Sequence, residues 1–152
     1  MQDRYFEVVM LIERLHRLFL DVVKAELDRM KIADINNVQC LIMYNVGRNK
    51  LTVGEVTNRG YYLGSNVTYN LKKMVENGYL EQEQSLHDRR SIMVKLSKKG
   101  LDLFKHLEKM FQRHCDNLPR NGVDDKQLAE LHTLMERLES FWSFMVTREL
   151  RF

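Results

Sequence analysis

The side chains best equipped for chemistry are hydrogen-bonding and cationic, and they fall in two clusters. The first is Ser65, Asn66, Thr68, Tyr69, Asn70 and Lys73, and the second is the short run Asp88, Arg89 and Arg90. Amides, hydroxyls and guanidinium groups at this density bind rather than catalyse. An Asn amide pairs with an adenine edge through two hydrogen bonds, a Tyr contacts a phosphate or a thymine methyl, and an Arg reaching from a loop tip enters a narrow groove of negative potential. Patterns for nucleophilic, metal-dependent or phosphate-loop catalysis (GxSxG, HExxH, GxGxxG, Walker) are absent from the sequence. No enzymatic activity and no cofactor are expected.

Charge points to the same part of the chain. Residues 50–99 hold nine Lys or Arg against five acids, a net of +4, whereas the remainder carries a net of −1. A basic segment between balanced ends is the footprint of a phosphate-binding surface, although an excess of this size also suits a solvated face.

The chain has 152 residues, 44% of them hydrophobic, with one Pro and seven Gly. That is enough for one domain with its own core, and too few breakers for long linkers. Neither a long apolar span nor a leader pattern at MQDRYFEVV is present, so no membrane association and a cytoplasmic location are expected. Cys40 and Cys115 form no CxxC pair, and His16, His87, His106, His114 and His132 include no i,i+4 pair, so no metal site is expected.

Helices must carry the two ends. From Tyr5 to Met30, Val8, Ile12, Leu15, Phe19, Val22 and Val23 recur at spacings of three and four. A second helix is expected from Ser97, which can cap it, through Leu101, Phe104, Leu107 and Phe111, until Pro119 and Gly122 stop it. A third starts at Asp124 with Gln127 in the capping-box position and runs through Leu128, Leu131 and Leu138 to the apolar SFWSFMV. An end that is apolar all round needs a covering surface, which is either a second copy or an intrachain three-helix core.

The middle is built from shorter pieces. Ile35 to Val46 reads as a helix with Val38, Leu41 and Ile42 on one face, ended by Gly47. Thr52 and Glu55 form a capping box for a helix of two turns, and Ser65 caps another in which Val67, Leu71, Met74 and Val75 face inward until Gly78 stops it. Asn66, Thr68, Tyr69, Asn70 and Lys73 are left on its outward surface. Tyr79 to Ser85 and Ser91 to Leu96 then alternate in the period of a hairpin around LHDRR. Two short helices followed by a hairpin describe a winged helix-turn-helix. In its tip, Asp88 is expected to hold an arginine guanidinium in place.

The order LTVGEV, SNVTYNLKKMVENGYLEQ, HDRRSIMVKLSKKG resembles the MarR family of winged helix-turn-helix regulators, with matching flanking helices from about residue 5 to residue 148. The resemblance implies a mainly α fold with a small β-hairpin wing, in one domain over 1–152. Residues 36–99 would form the DNA-binding lobe, and 1–34 and 100–152 the helical dimerisation region. It further implies a homodimer on a pseudo-palindromic operator in double-stranded DNA, regulated by a small-molecule effector or by oxidation. Carried over by position, Ser65, Asn66, Thr68, Tyr69, Asn70 and Lys73 would face the major groove or its phosphates. Arg90 would enter the minor groove with Asp88 as its clamp, and Arg89 would touch phosphate. Where relatives often carry Arg in the reading helix, this chain has Tyr69 and Asn70, which favours an A·T-leaning site. The turn GYYLGSN is also unusual, and its tyrosines either pack beneath the helices or flank the DNA backbone.

The sensing half carries no motif. An effector pocket between the dimerisation helices and the DNA-binding lobe, lined by residues such as Phe19, Met43 and Tyr44, is expected from the family resemblance. Cys40 is the redox candidate, although no Lys, Arg or His lies within a turn to lower its pKa, and a buried Cys ordinarily acts as a small hydrophobe. The alternative to a DNA-binding regulator is a winged-helix protein-interaction module without specific DNA binding.

Overall fold

A computed structural model describes residues 1–60 and 64–149, with the side chains of residues 64, 65, 148 and 149 outside that description. The chain divides into two compact units, Met1–Met110 and Phe111–Phe152.

The first unit opens with helix α1 (Gln2–Arg29), which contributes only its C-terminal turns to the core through Val23 and Leu27. Helix α2 (Asn37–Val46) is entered through a capping box in which Asn36 and Gln39 satisfy each other's backbone N–H groups. Gly47 closes it with φ at +57°, a conformation that a side chain would strain. The inward face of α2 is Gln39, Cys40, Ile42, Met43 and Val46, whereas Val38 is exposed. Of the face expected from Val38, Leu41 and Ile42, Ile42 is buried, Leu41 is half-buried and Val38 points out, because apolar residues lie on several sides of this helix and Gln39 is drawn inward by its cap.

Strand β1 (Leu51–Thr52) leads directly into helix α3 (Val53–Gly60), with Thr52 and Glu55 forming the anticipated capping box. Helix α4 (Gly64–Glu76) follows and buries Val67, Leu71 and Met74 along one stripe. Strands β2 (Leu80–Gln84) and β3 (Ile92–Leu96) make the hairpin, in antiparallel register from Leu80 opposite Leu96 to Gln84 opposite Ile92. The sheet has a third strand that the two-stranded reading lacked: β1 pairs β3, with Leu51 opposite Val94. Two residues are too short to show a period, so only the pairing reveals them.

Helix α5 (Lys98–Asn117) begins as expected at Ser97, whose hydroxyl accepts from the Gly100 amide and donates to the Gly78 carbonyl. Leu103, Phe104, Leu107 and Met110 complete the core of this unit. Full burial of each such side chain is worth about 1.5–3 kcal/mol. In the second unit, a short 3-10 turn (Leu118–Asn121) ends at Gly122 with φ at +81°. Asp124 and Gln127 then cap helix α6 (Asp125–Glu149) reciprocally.

Where α5 starts, a β-carbon on Gly100 would lie 2.2 Å from the Tyr79 carbonyl oxygen, a backbone atom that cannot swing aside. Gly100→Ala is expected to destabilise the fold by about 1–3 kcal/mol, the usual cost of overpacking. Urea denaturation followed by circular dichroism measures it, and an unchanged midpoint would contradict this close approach.

Candidate nucleic-acid interface

The stripe that α4 buries leaves the opposite side of that helix to solvent. Asn66, Thr68, Tyr69, Lys72 and Lys73 are all exposed, Tyr69 at 62%. An aromatic ring so open to water on a face rich in amides and ammonium groups is placed to contact a partner rather than the core. Lys73 pairs with Glu76 at 3.3 Å, which leaves Lys72 as the cation of this face without an ion pair among the described residues. The backbone of Ser65 belongs to α4, but its side chain lies outside the described residues, as do Tyr61 and Tyr62 of the preceding turn.

Asn70 departs from its expected outward position. It sits on the flank of α4 and is half-buried, with Oδ1 accepting from Gln39 Nε2 at 3.2 Å and Nδ2 donating to the Asn66 carbonyl at 2.8 Å. Both halves of its amide are engaged within the protein.

The wing tip is organised by Asp88, although not through a guanidinium. Its Oδ1 accepts from the Arg90 backbone amide at 2.9 Å and its Oδ2 from the Ser91 hydroxyl at 3.0 Å. The Arg90 amide, and secondarily Ser91, hold the Asp88 carboxyl below its ordinary range. The clamp expected on an arginine side chain is thus a clamp on the backbone, as a short side chain two residues away dictates. The Gln84 amide donates to the Arg89 carbonyl and the Ser85 amide to the Ser91 carbonyl, which closes the loop. The tip is held while Arg89 and Arg90 stay exposed, and neither makes an ion pair among the described residues.

Four of the nine cations counted in the sequence are engaged. Lys50 pairs with Glu83, Lys95 with Glu81 and Glu83, Lys73 with Glu76, and Lys99 with Asp34. Arg59, Lys72, Arg89, Arg90 and Lys98 make no ion pair among the described residues and remain available to an anion.

The expected sensing residues lie in different settings. Met43 is fully buried, Tyr44 stacks on Phe104 with ring centroids 5.0 Å apart, and Phe19 is half-buried. Cys40 is fully buried, and burial pushes its thiol up to about 12, the opposite of what a reactive thiolate needs. A groove of about 500 Å³ lies elsewhere in this unit, lined by Lys31, Ile32, Asp34, Tyr79, Lys99, Leu103 and His106. Nothing in the sequence marked it, since its residues come from three separated segments. Among the described residues, no group of three or more His, Cys, Asp or Glu is placed to hold a metal ion.

Comparison with known proteins agrees with this geometry. Residues 33–91 match the sequence model of the MarR family. The exopolysaccharide II synthesis transcriptional activator ExpG of Rhizobium meliloti is 33% identical over 138 residues, covering 91% of this chain and 71% of the relative. FabT of Streptococcus pneumoniae, solved in complex with DNA, superimposes with a TM-score of 0.73 at 20% identity, covering 93% of this chain and 99% of that one. MarR of Staphylococcus aureus, solved with salicylate and kanamycin, superimposes equally well, with a TM-score of 0.73 at 20% identity over 93% of this chain and 91% of that one. Together with the helix pair α3 and α4 and the three-stranded wing, these similarities establish that the chain belongs to the MarR family of winged helix-turn-helix, DNA-binding transcription regulators.

Proposed function

We propose that the chain works in the cytoplasm as a homodimer on a pseudo-palindromic operator, each copy reading one half-site. The observation that carries this reading is the pairing, in one compact unit, of an exposed Asn66, Tyr69 and Lys72 face with a held wing tip that extends Arg89 and Arg90. A helix face of that kind fits the major groove and an arginine tip fits the minor groove, and half-sites would recur about one helical turn, roughly 34 Å, apart. The DNA in the FabT complex supports the same use of the fold.

The dimer reading rests on apolar surface. Phe6, Met10, Leu11, Leu15 and Leu18 of α1 are exposed, as are Leu131, Leu134, Phe141, Phe144 and Met145 of α6. A second copy covering them would define the dimerisation region as 1–34 and 100–152, and the DNA-binding lobe as 36–99. A small effector would enter the groove beside Lys99 and His106, a use supported by the salicylate and kanamycin found with the Staphylococcus aureus relative.

Selection from random duplexes gives the test. The chain should enrich one inverted repeat, and its affinity should fall steeply with salt as phosphate contacts release counterions. A protein that enriches nothing and shows no shift at low salt is a protein-interaction module instead. Arg90→Ala should weaken binding to the enriched repeat by about 1–3 kcal/mol with fold and assembly intact; anisotropy titration measures this, and parental affinity would remove Arg90 from the interface. Deletion of residues 139–152 should give monomer or aggregate in analytical ultracentrifugation, and a stable soluble dimer would rule out this end as part of the dimer surface.

A further inference from the structure

A chain of hydrogen bonds links the cap of α2 to the first turn of α4. The Asn36 backbone amide donates to Gln39 Oε1 at 3.1 Å, and Gln39 Nε2 donates to Asn70 Oδ1 at 3.2 Å. Asn70 Nδ2 then donates to the Asn66 carbonyl at 2.8 Å. Both termini of this relay are backbone groups whose polarity cannot change: an N–H at one end, a C=O at the other. Either amide reversed would set donor against donor or acceptor against acceptor, so the direction of both side chains is fixed. Gln39 is 7% exposed, and a buried amide left unsatisfied is costly, which makes the relay hard to break piecemeal.

We propose that Gln39 is a positioning residue for sequence recognition: through Asn70 it sets where the Asn66 and Tyr69 face of α4 lies in the groove. Gln39 lies on α2 and belongs to the buried face of that helix, so it acts on the DNA through the reading helix. The relay ends on the carbonyl of Asn66, the residue whose side chain stands on the outward face, and Tyr69 lies one turn further along that face. A rotation of α4 about its buried stripe would move both, and the hydrogen-bonded flank at Asn70 resists that rotation. Base readout depends on such placement, whereas contact with phosphates by flexible cations does not. Gln39 therefore bears on specificity and leaves general affinity for DNA unchanged.

This inference rests on the DNA-reading function proposed above, and the experiment separates the two. Three variants are titrated against the repeat enriched by the parent and against random duplex. Gln39→Glu keeps an acceptor for the Asn36 amide but has no donor for Asn70; Gln39→Met removes both bonds without adding charge. Asn70→Ala breaks the relay at its other end. Each should lower the ratio of specific to random-sequence affinity by about tenfold, the order of one lost base contact, with preference lost at the same positions of the repeat. Gln39→Met should keep the parent's affinity and salt slope on random duplex, and Gln39→Glu combined with Asn70→Ala should be no worse than Asn70→Ala alone. Retention of the parent's preference by either Gln39 variant overturns the proposal, as does an equal loss on both duplexes by Gln39→Met. A parent that prefers no sequence sinks the functional reading itself.

Discussion

The first unit depends on how closely the backbone of α5 passes Tyr79. Ser97 donates its amide to the Tyr79 carbonyl at 3.0 Å, and three residues later the absence of a side chain at Gly100 lets the helix lie against the same carbonyl. Around this contact the Asn77 side chain donates to the Asp34 carbonyl, and Tyr79 and Lys99 both donate to the Asp34 carboxylate. Lys99, then Tyr79, hold that carboxyl below its usual range. Half-exposed ion pairs contribute little by themselves. Steric fit at Gly100 is what sets the geometry, and the polar contacts select one arrangement within it. Because the end of α4, the base of the wing and the start of α5 share this point, α4 and the wing tip are referenced to a common origin.

Charge acts through what is left over rather than through the total. Lys50, just before β1, and Lys95 on β3 are matched by Glu81 and Glu83 of β2, which neutralises that face of the wing. The unmatched cations are then spread over α3, α4, the wing tip and the first residue of α5. A field distributed in this way favours an extended polyanion that touches several elements over a small anion held at one point. The modest excess counted in the sequence understates this, because the acids offsetting it are spent on particular partners.

The sequence was legible where a local rule applied. Caps at Thr52, Ser97 and Asp124 announce themselves by spacing, and the structure realises each through the expected side chain. The switch from helical to alternating period located β2 and β3. Features that depend on a distant partner were not legible. The pairing of β1, the inward turn of Gln39 and the groove beside Lys99 each join residues separated by dozens of positions. Asn70 is the instructive case: its type and its place in α4 suited a base contact, and its bonds to Gln39 on α2 and to the Asn66 carbonyl had no sequence signal. The Asn36 and Gln39 spacing is itself a capping-box signal, and it could have marked Gln39 as a side chain with a fixed orientation.

The exposed apolar residues of α1 and α6 bear on how folding and DNA reading are connected. Domain stabilities are about 5–15 kcal/mol in all, and covering one large apolar side chain is worth about 1.5–3 kcal/mol. The exposed set includes Phe6, Leu15, Leu18, Leu131, Leu134, Phe141 and Phe144. Covering several of these would contribute as much as the net stability of the chain alone. In the proposed dimer, then, association and folding are linked through mass action, and the two reading faces acquire a fixed separation only when that surface is closed. In that dimer the wing and α4 would recognise one half-site by their own geometry, and the spacing between half-sites would be a property of the apolar helices.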